Sequence, residues 1–459
     1  MNADVQNTNR KAELLSTTVE HVSIEWRGLT GGQNGIMGVP SPALFGASFG
    51  ERGVALLAIA LAALALYGSW RLSSSAWGAA MRAVKDSETA AESVGLNPTT
   101  VKTVAFAISA ALAGIAGGLF ASLSGFVTPS TFTFLQSILF VLVVIIGGAG
   151  TVAGPLAGAV VVVLLPEALA ALAEYRLLFF GALLLVVLWV APEGIVGTAA
   201  RLLARRRAPR TVRELPGDPL AAHDGARAAL EVSGLTIAFG GVRAATGVAF
   251  TAPPGAITSV IGPNGAGKTT VLNVLGGFYR PDAGEIRLGE VPIAGWPAYA
   301  IARAGIARTY QTSQLFGSLS VLDNLAIARC KGELGIPFGE RSRRLLAQGY
   351  EHGERLLAFV GYGGDLLRPA ADLPHVDRRL VEIARALATA PRVLLLDEPG
   401  AGLSREDKQQ LGRLLRRIAD SGIGVVLVEH DMSMVMGISD KVVALNFGRK
   451  IAEGTPAEV

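Results

Sequence analysis

Hydrophobic positions are distributed along this 459-residue chain in two different ways. From about residue 52 to residue 192 they form long runs, bare of charge and broken by glycines. From about residue 229 onward they form short β-branched stretches such as AITSVI and VLLLD, set between polar helix-forming segments. The first texture predicts membrane helices. GVALLAIALAALALYGSW, between Arg52 and Arg71, is long enough to cross about 30 Å of hydrocarbon. From Thr103 to Pro166 no residue is charged, and glycine breaks divide the stretch into helices near Val104–Leu123, Phe134–Ile146 and Val152–Leu165. A fifth run, Leu177–Pro192, is short but begins beside Arg176, whose stem can snorkel to an interface. A charge at mid-membrane costs at least about 2.5–3.5 kcal/mol, so its absence over such lengths is informative.

The second texture predicts an α/β domain with strands buried on both faces. The expected class is therefore multi-domain: an all-α polytopic transmembrane domain followed by an α/β P-loop domain. The expected boundaries are an N-terminal remnant over 1–51, about five membrane helices over 52–200, a basic linker over 201–228 and the α/β domain over 229–459. The linker segment APRTVRELPGDPLAAHDGARA is rich in turn formers.

Composition agrees with part of the chain being membrane-embedded, at 51% hydrophobic and only 17% charged residues. The net charge of +4 gives no reason to propose a nucleic-acid partner. Its local placement matters more. Arg71, Arg82, Lys85 and Lys102 mark one loop as cytoplasmic, and Arg201, Arg205, Arg206, Arg207, Arg210 and Arg213 mark the other basic end. With five spans, residues 1–51 would then start outside with no span to carry them there. Either further helices precede this segment, or the segmentation is off by one. The first residues, MNADVQNTNRKAELL, lack the apolar core of a secretion signal, and the single cysteine, Cys330, excludes an internal disulfide.

Candidate chemistry is concentrated in the α/β half. Gly262-Pro-Asn264-Gly265-Ala266-Gly267-Lys268-Thr269-Thr270 lies between the predicted strand Ala256–Ile261 and the helical run VLNVLGGF. That strand–loop–helix context makes it a phosphate loop: backbone N–H groups and a helix N-terminus aim at phosphate oxygens. Lys268 is expected at the β- and γ-phosphates, and the Thr269 hydroxyl at Mg²⁺. Downstream, RVLLLD ends in Asp397 and Glu398, at the carboxyl end of an apolar strand. Asp397 is the expected Mg²⁺ ligand and Glu398 the general base toward an attacking water.

These elements, with Gln311 in ARTYQTSQLF and His430 in VLVEHDM, occur in the order found in ABC ATPases, which this half resembles. The resemblance implies that Gln311 senses the γ-phosphate, shares in holding Mg²⁺ and contacts the membrane domain. It implies that His430 grips the γ-phosphate and that Phe239, in LTIAFGGVRA, stacks on adenine. Two places depart from the family. Leu373-Pro374-His375-Val376-Asp377 stands where an LSGGQ-like signature belongs, and Ser404 stands where the following loop usually has aspartate. Pro374 lacks both hydroxyl and N–H, and Val376 puts a side chain where close backbone approach is wanted.

The apolar half is similar to permeases of high-affinity branched-chain amino acid importers, through LTGGQNGIMGVP, MRAVKDSETAAESVGLNPTTVKTVAFAISAALAGIAGGLFA and VTPSTFTFLQSILFVLVVIIGGAGTVAGPLAGA. Glu88, Thr89, Ala90, Ala91 and Gly95 fall where such importers carry a coupling helix. Family permeases have further helices before the LTGG segment, and the family cassette continues past GTPAEV, so the resemblance implies a permease truncated at its N-terminus. It also implies a second ABC ATPase subunit, a second permease subunit, an extracytoplasmic solute-binding protein and a multi-pass place in a bacterial plasma membrane, with the ATPase cytoplasmic and ATP with Mg²⁺ as cofactors. The expected function is ATP-driven import of branched-chain or related small amino acids. A regulatory or impaired cassette, an importer of urea or short amides, and a soluble-type ABC ATPase stay open at this point.

Overall fold

A computed structural model describes residues 22, 24–44, 47–131, 134–168, 176–204, 207–212, 219–220 and 227–459. Outside them lie most of the opening residues, Arg205, Arg206 and Arg213 of the arginine run, and much of the expected linker. The chain forms two compact units, Met1–Arg71 with Phe106–Ala208, and Leu72–Ala105 with Pro209–Val459.

The first unit is helical. Its helices are α1 (Glu51–Ser73), whose last residues enter the second unit, the greater part of α4 (Pro98–Ser124), then α5 (Phe134–Gly147), α6 (Gly154–Ala168), α7 (Arg176–Val190) and α8 (Gly194–Ala204). By length and composition α1 and α4 are apolar and long enough to cross a membrane. The fifth expected span, now α7, has 15 residues, which at 1.5 Å per residue reach only about 22 Å. Large apolar side chains point outward from α1 and α4, Leu56 at 68% and Phe106 at 79% exposure, the reverse of a water-soluble core helix. α5 and α6 pack backbone to backbone: a Cβ on Gly158 would lie 1.9 Å from the Val143 carbonyl oxygen. Only glycine permits that approach, the small-residue device of helix pairs in lipid.

Between α1 and α4 the chain forms α2 (Ala76–Asp86) and α3 (Glu88–Ser93), which belong to the second unit. Ser87 ends α2 and caps α3, its hydroxyl accepting from the Ala90 N–H. Ala79, Ala80, Ala83, Ala90 and Ala91 are fully buried in one apolar core with Leu325, Leu356 and Leu387. The small side chains are what bring these helices so close.

The rest of the second unit contains two sheets. β1 (Leu230–Phe239), β2 (Val242–Ala252), β4 (Ala283–Leu288) and β5 (Val291–Pro292) make an antiparallel sheet in the order β2-β1-β4-β5. The larger sheet orders β6 (Ile306–Arg308), β7 (Val393–Asp397), β8 (Gly424–Val428), β3 (Ile257–Ile261), β9 (Lys441–Asn446) and β10 (Arg449–Gly454), parallel except for the final hairpin pair. β7 and β8 are buried at every position, as unbroken Val/Leu runs require. Helix α9 (Lys268–Leu275) packs under β3 in a core shared by both sheets. A helical layer, α10 (Val321–Arg329), α11 (Glu340–Val360) and α12 (His375–Ala388), holds α2 and α3. Arg210, in the first half of the linker, fastens it to this layer, its Nη2 donating to Glu354 Oε2 at 3.0 Å and its backbone N–H to Asp365 Oδ1 at 3.0 Å.

Candidate nucleotide site

β3 lies between two parallel neighbours and delivers the loop 262–267 at its carboxyl end. Three glycines give that loop its curl, with φ of +151° at Gly262, +80° at Gly265 and +94° at Gly267. Gly267 is also the left-handed N-cap of α9, and a Cβ there would meet the Ala244 carbonyl oxygen at 2.2 Å. Gly265 faces open space, while Pro263, Asn264 and Thr269 are exposed. Ala266 is buried and anchors the loop, its carbonyl accepting from the Gly448 N–H; Thr270 is half-buried in the first turn of α9. The result is a concave row of backbone groups at a helix N-terminus, suited to an anion. Lys268 folds back into it, Nζ donating to the carbonyls of Gly262 (2.8 Å) and Pro263 (3.0 Å). Burial pushes its ammonium below the ordinary lysine range, against the opposing pull of Glu398 and Asp397.

β7 brings the two carboxylates. Asp397 is 2% exposed; its Oδ2 accepts from Arg308 Nη2 at 3.2 Å, and its Oδ1 has no hydrogen-bond partner. Burial raises its pKa, with Arg308 pulling it back. A buried, unpartnered carboxylate oxygen fits a hard divalent cation such as Mg²⁺. Glu398 follows in a left-handed backbone, φ +47°, that only a tight constraint sustains in a non-glycine residue. Its N–H donates to the Val428 carbonyl, fixing the turn at the sheet edge. Its carboxylate is clasped from both sides, Oε2 by Gln311 Nε2 at 2.9 Å and Oε1 by His430 Nε2 at 2.7 Å. A carboxylate only accepts, so the ring bears its proton on Nε2.

Three expected catalytic residues, separated by up to 119 positions (430 − 311), therefore meet at one carboxylate. Phe239 sits at the end of β1, half exposed, its ring edge-on to Tyr279 at 5.1 Å.

Two family models match the chain: residues 14–188 fit "Branched-chain amino acid transport system / permease component", and residues 245–401 fit "ABC transporter". The ATP-binding protein BraF of the high-affinity branched-chain amino acid system of Pseudomonas aeruginosa is 40% identical over 242 residues, 51% of this chain and 94% of BraF. LivG of Salmonella typhimurium, the ATP-binding protein of the corresponding system, is 39% identical over 239 residues, 50% of this chain and 92% of LivG. The chain belongs to the high-affinity branched-chain amino acid ABC transporter family. The cassette also shares 37% identity with a ribose import ATP-binding protein of Rubrobacter xylanophilus, over 49% of this chain and 44% of that protein. A nucleotide-free ATP-binding cassette from an ABC transporter superimposes with a TM-score of 0.44 at 28% identity, over 50% of this chain and 91% of that one.

In this ABC transporter chain an ATP-hydrolysing cassette and a permease region are thus joined. The loop carrying Gln311 is held by α12: Arg379 donates to the carbonyls of Tyr310 (2.7 Å) and Gln311 (2.9 Å), and Arg385 to that of Gln314 (2.7 Å). Glu382, fully buried, accepts from the N–H groups of Tyr310 and Gln314. On its other side the loop meets α2 and α3. Tyr310 Oη donates to the Thr89 carbonyl at 3.2 Å, Ser87 Oγ to Gln314 Oε1 at 3.3 Å, and the Ser318 N–H to Asp86 Oδ2 at 2.7 Å.

At the signature position Pro374 is the N-cap of α12 and makes no side-chain capping bond. Ser404 has a local role instead, capping α13 (Arg405–Asp420) by accepting from the Asp407 N–H. The motif reading did not single out Arg308, Glu429 or the Arg379–Glu382 pair. Glu429 accepts from the Gly400 N–H at 2.6 Å and the His430 N–H at 3.0 Å, which steadies both flanks of Glu398. The one signal available was adjacency: Glu429 precedes His430 in VLVEHDM.

Proposed function

We propose that this chain is half of an ATP-driven importer of branched-chain or related small amino acids in a bacterial plasma membrane. The observation that carries the proposal is the Glu398 carboxylate held between Gln311 and His430. The names of the curated relatives support the solute class.

ATP enters the loop 262–267 with its phosphates on the backbone N–H groups of Gly265, Gly267, Lys268 and Thr269, and with Asn264, Ala266 and Thr270 shaping the cradle. Lys268 exchanges the Gly262 and Pro263 carbonyls for phosphate oxygens. The Thr269 hydroxyl, Asp397 Oδ1 and the Gln311 side chain would hold Mg²⁺, which would neutralise phosphate charge when bound. Phe239 stacks on the adenine. Each Glu398 oxygen accepts one hydrogen bond and keeps a second lone pair, so the carboxylate, oriented from both sides, can take a proton from water. His430 keeps one Glu398 oxygen oriented through the Nε2 hydrogen bond. Because the Gln311 loop hydrogen-bonds to α2 and α3, its movement couples the nucleotide to the segment between two membrane helices.

We assign residues 52–200 to a multi-pass permease region of about five helices, 201–228 to the linker and 229–459 to the cytoplasmic cassette. A second cassette, a second permease subunit and an extracytoplasmic solute-binding protein complete the importer. The Pro374 and Val376 substitutions favour a heteromeric pair: this chain's loop is completed by a partner's intact signature, while its own serves the partner poorly. ATP-dependent uptake in proteoliposomes with the partner subunits and binding protein tests the proposal across leucine, isoleucine, valine, urea and acetamide. Accumulation of the aliphatic amino acids is expected; uptake of urea or acetamide alone, or of nothing, contradicts it.

A further inference from the structure

Arg308 closes β6, the strand leading into the Gln311 loop, and its side chain is 4% exposed. Its guanidinium joins three parts of the site. Nη1 donates to Asn273 Oδ1 on α9 at 2.6 Å, and Nη2 donates to Asp397 Oδ2 at 3.2 Å. Its Cζ lies over two rings, 5.2 Å from the Tyr310 centroid and 5.7 Å from that of Phe278, and these rings meet edge-on at 6.0 Å. The Tyr310 hydroxyl donates to the Thr89 carbonyl of α3. One buried cation therefore connects the phosphate-loop helix, the metal-side carboxylate and a ring hydrogen-bonded to α3.

A buried Arg–Asp pair is a weak source of stability, because desolvating both ions offsets their attraction. What it does provide is orientation. With Oδ2 bound to Arg308, Oδ1 is the Asp397 oxygen left free for a cation. We infer that Arg308 is a positioning residue that sets Asp397 for a divalent cation and, through Tyr310, makes that setting depend on α3. This rests on the reading of Asp397 as the cation ligand. Outer partners of metal ligands typically alter metal affinity by about 10–100-fold.

The test uses the full-length chain in detergent, with Mn²⁺ as a paramagnetic probe and a fluorescent ADP. Arg308→Met is expected to weaken Mn²⁺ binding in the presence of ADP by about 10–100-fold, while metal-free ADP affinity stays within about twofold. Arg308→Lys keeps the charge without the fork and should fall between; it also carries the decision where the methionine variant fails to fold. Tyr310→Phe removes one hydrogen bond and should weaken Mn²⁺ binding about threefold. Unchanged Mn²⁺ affinity in the Arg308 variants, or an equal loss of metal and metal-free ADP binding, overturns the assignment. Unchanged Mn²⁺ affinity in Tyr310→Phe removes the link to α3. If the unsubstituted chain binds ADP with no Mn²⁺ at Asp397, and Asp397→Asn changes nothing, the cation-ligand reading fails instead, whatever Arg308 does.

Discussion

The cassette contains two turns of the same kind, a loop running into a helix N-terminus, and they have been treated in opposite ways. At residues 262–267 three glycines at positive φ curl the loop ahead of α9 and leave its surface open at Gly265. At residues 373–377 a proline caps α12 without a side-chain bond, and Val376 stands exposed where close approach is wanted. Both helices carry the same positive end. The difference lies in which backbone groups can be reached, so the first turn can grip phosphate and the second is poorly equipped to do so.

The sharpest way to break that contrast is Lys268→Ala. Loss of the one cation folded into the loop should lower ATP turnover by about 10²–10³-fold, and direct nucleotide binding should fall with it. Gly267→Ala attacks the same turn through the backbone, since its Cβ would collide with the Ala244 carbonyl. The left-handed cap alone costs about 1–3 kcal/mol, so a lower melting temperature and weakened nucleotide binding should appear together. The other turn should respond in the opposite sense. Pro374→Ser combined with Val376→Gly should raise turnover of the assembled complex up to about tenfold, an effect of about 1.4 kcal/mol on the barrier, and leave nucleotide binding by this chain's own loop unchanged. A fall in turnover would mean that the proline turn is already the working form.

How much of this was legible beforehand depends on the range of the interaction. The phosphate loop, Asp397 and Glu398 could be proposed from sequence because each motif is local, beside its strand or helix; Gln311 and His430 followed only from the resemblance to ABC ATPases, in whose order they stand. The clasp of Gln311 and His430 on Glu398 could not be measured that way, though all three residues were in hand. Arg308 escaped altogether: its partners, Asn273 and Asp397, lie 35 and 89 residues away, and no local pattern marks an arginine that will be buried. Likewise the clamp of Arg379, Glu382 and Arg385 on the Gln311 loop reads in sequence as an ordinary amphipathic helix. Helices stand over the five apolar runs, two of them long and apolar enough to cross a membrane, but their ends differ from the expected ones. α4 starts at Pro98, well before the charge-free stretch, because helix continuity follows backbone bonding and Pro at the first turn, not hydropathy.

A smaller effect concerns pH. Asp431 caps α14 (Met432–Ile438), accepts from the Ser433 and Met434 N–H groups, and pairs with Lys408 at 2.8 Å. The Lys408 hydrogen bond, then the helix N–H groups, hold its carboxyl below the usual aspartate range. A depressed folded pKa means stability that is present above the ordinary aspartate value and lost as pH falls through the lower, folded one. Acid melting curves of Asp431→Asn should therefore be flatter than those of the parent over that acidic window, and the two should run parallel near neutrality.

Glu398→Gln probes the first turn's chemistry most directly. In the reconstituted complex, with the partner cassette unaltered, ATP turnover at this site should fall by about 10²–10⁴-fold while ATP still binds the loop with about its original affinity. Undiminished turnover with full binding would contradict the assignment of Glu398 as the base and leave this cassette a nucleotide-binding, non-hydrolysing subunit.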